Sequence, residues 1–318
     1  MTFSLRPRVR QWLMRQIPLL SYTVAAYLLV AAVPAKAQNI EPRAFSNAPV
    51  GVNFLITGYA YTRGGLATDP SLPISNPRIQ TSGGVLAYAR ALDFFGNSAK
   101  IDASLPYNGL SGSATFNGQP IERTVNGVGD ARVRMAVNFY GAPALRMPDF
   151  KDYKQDLIIG TALQLTLPVG QYDPTRVVNL GTNRWSLTPE LGISKALGPL
   201  TLELTPAVTF YTDNTNFLDG HRRSQAPIYA VQGHAIYSFG GGFWGSLDAT
   251  YFTGGSTEID NHPNQDLQRN WRVGVTLAMP ITTRYSVKFF ASAGVSARTG
   301  NNYDLIGAFL QYRWGGGL

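Results

Sequence analysis

After Val33 the chain holds no run of about 18 or more apolar residues, the length that marks a membrane-spanning helix. It instead alternates apolar and polar side chains over unusually long segments. From Gln155 to Pro168, Leu157, Ile159, Thr161, Leu163, Leu165 and Leu167 share one face, opposed by Gly160, Ala162, Gln164 and Thr166. From Arg269 to Pro280, Trp271, Val273, Val275, Leu277 and Met279 oppose Arg272, Gly274, Thr276 and Ala278. Thr283 to Arg298 repeats the pattern, with Tyr285, Val287, Phe289, Ala291, Ala293 and Val295 against Ser286, Lys288, Ser292, Gly294 and Ser296. Side chains of a strand point alternately to opposite faces, so each segment reads as one strand with two unlike faces. Such strands exceed the usual length of about 5 to 6 residues and match the roughly 9 to 11 that a tilted strand needs to cross a bilayer.

The same reading yields twelve strands, at about 51–61, 79–92, 97–106, 129–140, 156–168, 183–194, 199–211, 226–239, 242–253, 269–280, 284–298 and 302–314. Their connections alternate as well. Asp93 to Gly96, Lys195 to Gly198, Gly240 to Gly241 and Ile281 to Thr283 are short turns. Thr62 to Arg78, Tyr107 to Val128, Val169 to Thr182, Thr212 to Gln225 and Gly254 to Gln268 are long and polar. Short periplasmic turns and long external loops mark an outer-membrane barrel. Two connections break the rule, Gly141 to Gln155 by its length and Thr299 to Asn301 by its shortness, so either the strand phase slips there or the loops are atypical.

A water-soluble β-sandwich would also alternate, but it would expose a charged face. Here the second face is mostly small and polar, and only 14% of residues are charged, against roughly 25% in soluble domains. Aromatics near strand ends (Tyr59, Tyr61, Tyr107, Tyr140, Trp185, Tyr211, Tyr251, Trp271, Tyr285, Tyr312 and Trp314) suit interfacial girdles. The fold expected is an all-β, antiparallel transmembrane barrel of about twelve strands.

The net charge of +8 suggests a nucleic-acid partner only until its position is checked. Arg6, Arg8, Arg10, Arg15 and Lys36 lie in the first 37 residues, which hold no acid. Without them the 27 basic residues fall to 22 against 19 acidic ones. Those 37 residues carry a basic start, an uncharged run from Leu19 to Val33 and the small-x-small site Ala35-Lys36-Ala37. They read as a signal peptide, residues 1–37, cleaved before Gln38, with the barrel domain in 38–318. A membrane anchor wants about 20 apolar residues, and Pro18 and Pro34 bracket this run too tightly.

Several stretches resemble one bacterial family: Arg43-Ala44-Phe45-Ser46-Asn47-Ala48-Pro49-Val50-Gly51-Val52-Asn53 with Gly58-Tyr59, then Gly127-Val128-Gly129-Asp130, then Leu167-Pro168-Val169-Gly170-Gln171-Tyr172-Asp173 with Leu180-Gly181, Trp185 and Pro189-Glu190-Leu191-Gly192. The family is the meta-pathway phenol degradation family of outer-membrane transporter β-barrels. The resemblance implies a channel whose relatives are linked to uptake of aromatic or other hydrophobic compounds. Read physically, Leu167-Pro168-Val169-Gly170 ends a strand and Gly129-Asp130 begins one. The final strand also ends in an aromatic, Trp314, resembling the signal by which such barrels reach their assembly machinery; the Gly315-Gly316-Gly317-Leu318 tail departs from it.

Catalysis is the competing class. The absence of cysteine removes thiolate nucleophiles and cysteine-based metal sites. The histidines are His221, His234 and His262, and no Gly-x-Ser-x-Gly elbow surrounds them. His234, with Ala230 and Gln232 on its own face, is expected to line the lumen near Asp248 of the next strand and to have its hydrogen bonding satisfied there. The loop acids Glu258, Asp260 and Asp266 with His262 could cage a calcium ion, but solvation explains them as well. The Gly240-Gly241-Gly242 run lacks the helix that a phosphate cradle requires. No cofactor is expected.

Strand parity points Arg90, Lys100, Asp102, Arg132, Arg134, Glu190, Glu203, His234, Asp248, Arg272, Lys288 and Arg313 into the lumen. Pairing of Asp102 with Arg132 or Arg134, and of Asp248 with Arg272, would lower the cost of burial. External loops holding Leu66, Leu72, Ile74, Phe116, Ile121, Phe217 and Leu218 are candidates to capture apolar solutes or to fold inward. The expectation is a monomeric, non-enzymatic outer-membrane channel for passive uptake of small hydrophobic or aromatic compounds, with membrane lipid and the assembly machinery as partners and no nucleic acid. A barrel enzyme acting on lipids or esters and a purely structural barrel are the alternatives.

Overall fold

The computed structural model describes residues 41–65, 72, 74–298 and 303–318. The segment 1–37 expected to be an export signal, Leu66 and the Thr299 to Asn301 connection lie outside them. Seventeen strands follow one another: β1 (Val52–Gly64), β2 (Ser75–Phe94), β3 (Asn97–Phe116), β4 (Gln119–Val128), β5 (Ala131–Tyr140), β6 (Leu157–Leu167), β7 (Ser186–Leu197), β8 (Leu200–Tyr211), β9 (Asn214–Phe217), β10 (His221–Gln225), β11 (Ile228–Gly240), β12 (Phe243–Gly254), β13 (Thr257–Ile259), β14 (His262–Pro263), β15 (Gln268–Pro280), β16 (Tyr285–Ala297) and β17 (Tyr303–Gly315). A short helix, α1 (Met147–Phe150), lies in the β5–β6 connection.

Twelve of these strands, β1, β2, β3, β5 to β8, β11, β12 and β15 to β17, pair antiparallel with their neighbours, and β1 pairs with β17 to close the ring. All twelve expected strands are present. Closure removes the unpaired edges that a membrane would not tolerate.

Polarity is inverted relative to a water-soluble protein. Leu247, Val275 and Ile306 face outward at 68%, 50% and 58% exposure, whereas Arg272, His234 and Asp248 are at 1%, 5% and 4%. Strand β15 shows the rule residue by residue, buried and exposed positions alternating from Gln268 to Ala278. Aromatics mark the rims. Tyr285, Tyr312, Trp314 and Tyr88 form a chain with ring centroids 4.9 to 6.1 Å apart at the end holding the short turns, and Tyr251 meets Trp271 at 4.9 Å near the other end. Tyr211 departs from the expected girdle: it faces the lumen, where the Arg184 guanidinium lies 4.4 Å from its ring centre.

The strand phase does not slip at Gly141 to Gln155. That connection folds back under the barrel, where the Val50 N–H donates to Leu145 O at 2.8 Å and the Ser98 N–H to Ala142 O at 2.9 Å.

The external connections are more ordered than expected. Strands β2 and β3 each run 20 residues and rise beyond the barrel, and β4 pairs with the upper part of β3, so Tyr107 to Val128 is largely sheet. The turn between β3 and β4 is Asn117-Gly118, both with positive φ, a type I′ hairpin turn. From the loops at 212–227 and 255–267, β9, β10, β13 and β14 build a second, four-stranded sheet. Leu72, Ile74, Ile79, Leu110, Phe116, Val178, Leu180 and Phe217 pack into an apolar cluster among these loops.

Candidate functional site: the barrel lumen

The lumen is filled in part by the chain's own beginning. Residues 41–51 precede β1 and occupy the half of the barrel nearest the short turns. The Arg43 N–H donates to Glu203 Oε2 at 2.8 Å, and its guanidinium donates to Ser238 Oγ at 2.8 Å while covering the Trp244 ring at 4.8 Å. Lys100 Nζ donates to Arg43 O at 3.4 Å, and Lys288 pairs with Glu41. Phe45 is 2% exposed. Its ring sits against Gly160 and Gly192, where an added Cβ would come within 2.9 and 2.2 Å of it. Arg134 covers that ring at 5.2 Å, and Asn138 Nδ2 donates to Phe45 O at 2.9 Å.

The inward charges expected from parity therefore serve mostly to hold chain. Arg134 donates from Nε and a terminal nitrogen to Glu190 Oε2, at 3.2 and 2.8 Å, and lies 3.9 Å from Asp102. The expected pairing of Asp102 is thus found with Arg134. Asp248 does not pair with Arg272, because the register sets Asp248 opposite Gly274 and Arg272 opposite Thr250. Instead, His234 Nδ1 and Asp248 Oδ1 are 2.8 Å apart and Thr276 Oγ1 donates to Asp248 Oδ2 at 3.1 Å. Arg272 donates to Tyr303 O at 3.1 Å and stacks over that ring. Arg132 and Lys288 line the open lumen, and Arg313, near the short turns, donates to Thr283 O at 2.7 Å. Arg90 is a correction. It lies opposite Ile101 in the β2–β3 register and is exposed on the outer face, one residue off the inward parity of Ala89 and Ala91.

Above the N-terminal segment lies a cavity of about 490 Å³. One wall is aromatic: the Phe290 and Phe309 rings have centroids 4.6 Å apart and planes tilted by 37°, flanked by Tyr303, Leu305 and Phe252. Glycines make room for the rings. A Cβ at Gly58 would lie 2.0 Å from Phe309, and one at Gly307 would lie 2.4 Å from Phe290. On the far side of the ring, Gln164, Thr166, Thr188 and Glu190 of β6 and β7 make a polar wall.

The loop after β6 narrows the outer mouth. Asp130 Oδ1 accepts the Gly170 N–H at 2.9 Å, and Oδ2 accepts the Thr182 N–H and hydroxyl at 2.8 and 2.7 Å. This brings Gly170 against Gly181, where an added Cβ would meet backbone at 2.7 Å. Leu180, Thr182 and Arg184 of that loop line the cavity.

The stretches that carry the family resemblance thus meet in space at two places. Phe45 seats on Gly192, and Asp130 clamps Gly170 and Thr182. A sequence model of the family described as "Putative MetA-pathway of phenol degradation" matches residues 63–314. The chain belongs to this family. Its fold is similar to that of the COG4313 outer membrane channel from Pseudomonas putida F1, at 18% identity and a TM-score of 0.72 over 87% of this chain and 100% of that one. The β domain of the Bordetella autotransporter BrkA is a weaker match, at 12% identity and 0.45 over 83% and 99%, as is the TodX monoaromatic hydrocarbon channel, at 10% and 0.45 over 86% and 91%. No curated protein matches the sequence. Family and fold together make this an outer-membrane β-barrel.

Sequence reading missed Phe290 and Phe309. Both have inward parity, and the signal available was Phe290 among Ser286, Lys288 and Ser292 on β16 and Phe309 between Gly307 and Gln311 on β17.

Proposed function

We propose that the barrel is a passive channel for small apolar molecules, foremost monocyclic aromatics. The observation that carries this reading is the Phe290–Phe309 wall, its rings seated in the space left by Gly58 and Gly307 and bordering a 490 Å³ cavity. Offset and tilted ring pairs are favourable geometries, and a solute ring extends the stack. The facing polar wall accepts a hydroxyl or similar substituent, so a ring with one polar group meets both surfaces. The COG4313 relative, described as a channel, supports the same reading. A passive channel needs no cofactor.

The reading is also non-enzymatic. In the His234–Asp248–Thr276 group the acid sits between the other two, and the hydroxyl bonds the carboxylate, whereas nucleophilic catalysis needs it on the imidazole. The protein works as a monomer in lipid, delivered by the outer-membrane assembly machinery after residues 1–37 are removed before Gln38.

The test is uptake of phenol or toluene into vesicles carrying the purified barrel. Phe290→Ala with Phe309→Ala should slow aromatic entry by about 3- to 10-fold for each ring removed, and leave glycerol entry unchanged. Equal aromatic uptake in variant and parent would refute the aromatic path, and ester or phospholipid turnover abolished by His234→Ala would replace a channel with an enzyme.

A further inference from the structure

A second cavity, of about 230 Å³, lies outside the lumen, between the β2–β3–β4 tongue and the loop after β6. Ile79, Ala114, Ile121 and Val178 give it apolar walls, and these residues belong to the external apolar cluster or pack against it. An apolar cavity of about 150 Å³ accommodates benzene, so this one has room for a ring with a small substituent.

One lining residue does not fit a purely apolar role. Arg123 has a side chain only 18% exposed, and its Nε is buried with no hydrogen-bond partner among the described residues. Its guanidinium comes no nearer to Asp173 than 3.8 Å, beyond hydrogen-bonding distance. Asp173 is held there by the Thr175 N–H and hydroxyl, at 3.0 and 2.7 Å. The guanidinium lines the cavity without a hydrogen bond to Asp173, and a carboxylate is its best-matched partner in shape and charge. Arg176, 4.0 Å from Asp173, adds a second cation at the rim, and Pro120 and Glu122 are exposed there.

We propose that this cavity binds a small apolar acid of about the size of benzoate, its ring against Ile79, Ala114 and Val178 and its carboxylate on the Arg123 guanidinium. The site stands at the outer surface and is separate from the lumen, so it captures solute before entry.

Titration of the purified full chain in detergent with benzoate tests it, read by calorimetry or ligand-observed NMR. Saturable binding is expected. Arg123→Met should weaken benzoate by about tenfold or more, the effect of removing a charge-assisted hydrogen bond, and change benzyl alcohol affinity by less than about threefold. Ala114→Phe, or Val178→Phe should the first not fold, fills the cavity and removes both ligands. Benzoate affinity insensitive to Arg123→Met and to cavity filling overturns the assignment. Because binding and not flux is read, failure here leaves the channel reading standing.

Discussion

Gly192 decides how deeply the N-terminal segment seats. It is a glycine in a strand, where a side chain would ordinarily favour the sheet, and the Phe45 ring takes the volume that a side chain would fill. Gly192→Val should leave the barrel folded and displace Phe45, removing roughly 1.5 to 3 kcal/mol of side-chain burial from the segment. The expected outcome is a higher single-channel conductance together with chymotrypsin cleavage after Phe45. Unchanged conductance and continued protection would show that the ring is not what holds the segment. The parity of β7 already placed Glu190 inward, and Gly192 shares it. What the sequence could not show was the occupant, because residues 41–51 have no periodicity and reach their partners across a ring of strands. Arg90 failed for the opposite reason: a one-residue difference in phase turns a side chain from lumen to lipid, and the Leu86, Tyr88 and Arg90 face of β2 becomes clear only from its register with β3.

At the scale of elements, the twelve barrel strands were legible because each must satisfy two solvents, lipid on one face and a polar lumen on the other. The external strands β4, β9, β10, β13 and β14 answer to no such constraint and show no long alternation. Their signals were local turn signals, Asn117-Gly118 and Asp260-Asn261, each with two positive φ angles. The second of these turns also makes the outer sheet sensitive to acid. The Arg222 N–H, bonded to Asp260 Oδ1 at 2.8 Å, and the His221 ring beside Oδ2 hold the Asp260 carboxyl below the usual carboxylate range. A depressed folded value means that the stabilisation is present above the ordinary carboxylate range and is lost as pH falls through the lower, folded value. Hydrogen exchange at Thr257–Ile259 should therefore stay slow at mildly acidic pH and accelerate only below the ordinary carboxylate range. Asp260→Asn should exchange faster at neutral pH and lose the acid step. An acid step that persists in Asp260→Asn would assign it to another group.

For the whole molecule, the low charged fraction and the basic balance have separate causes. Lipid contact limits charge on the outside, and most inward charges are taken up by the barrel's own contacts: Lys100, Arg134, Glu203 and Lys288 hold the N-terminal segment, Asp248 holds His234, and Arg272 holds Tyr303. Among the inward charges, Arg132 presents an exposed side chain to the cavity. Small ions leaking past the segment must pass it, so it should set the charge preference of the leak. In planar bilayers under a KCl gradient, Arg132→Glu should move the reversal potential toward cation selectivity, and Lys288→Glu should move it less unless the pair with Glu41 is broken as well. The Debye length is about 10 Å at 0.1 M and about 3 Å at 1 M salt. The Arg132 effect should therefore be large near 0.1 M KCl and shrink near 1 M, whereas a change in pore shape would persist at both. A reversal potential that Arg132→Glu leaves unmoved at 0.1 M would place the ion path elsewhere and confine this wall to apolar solutes.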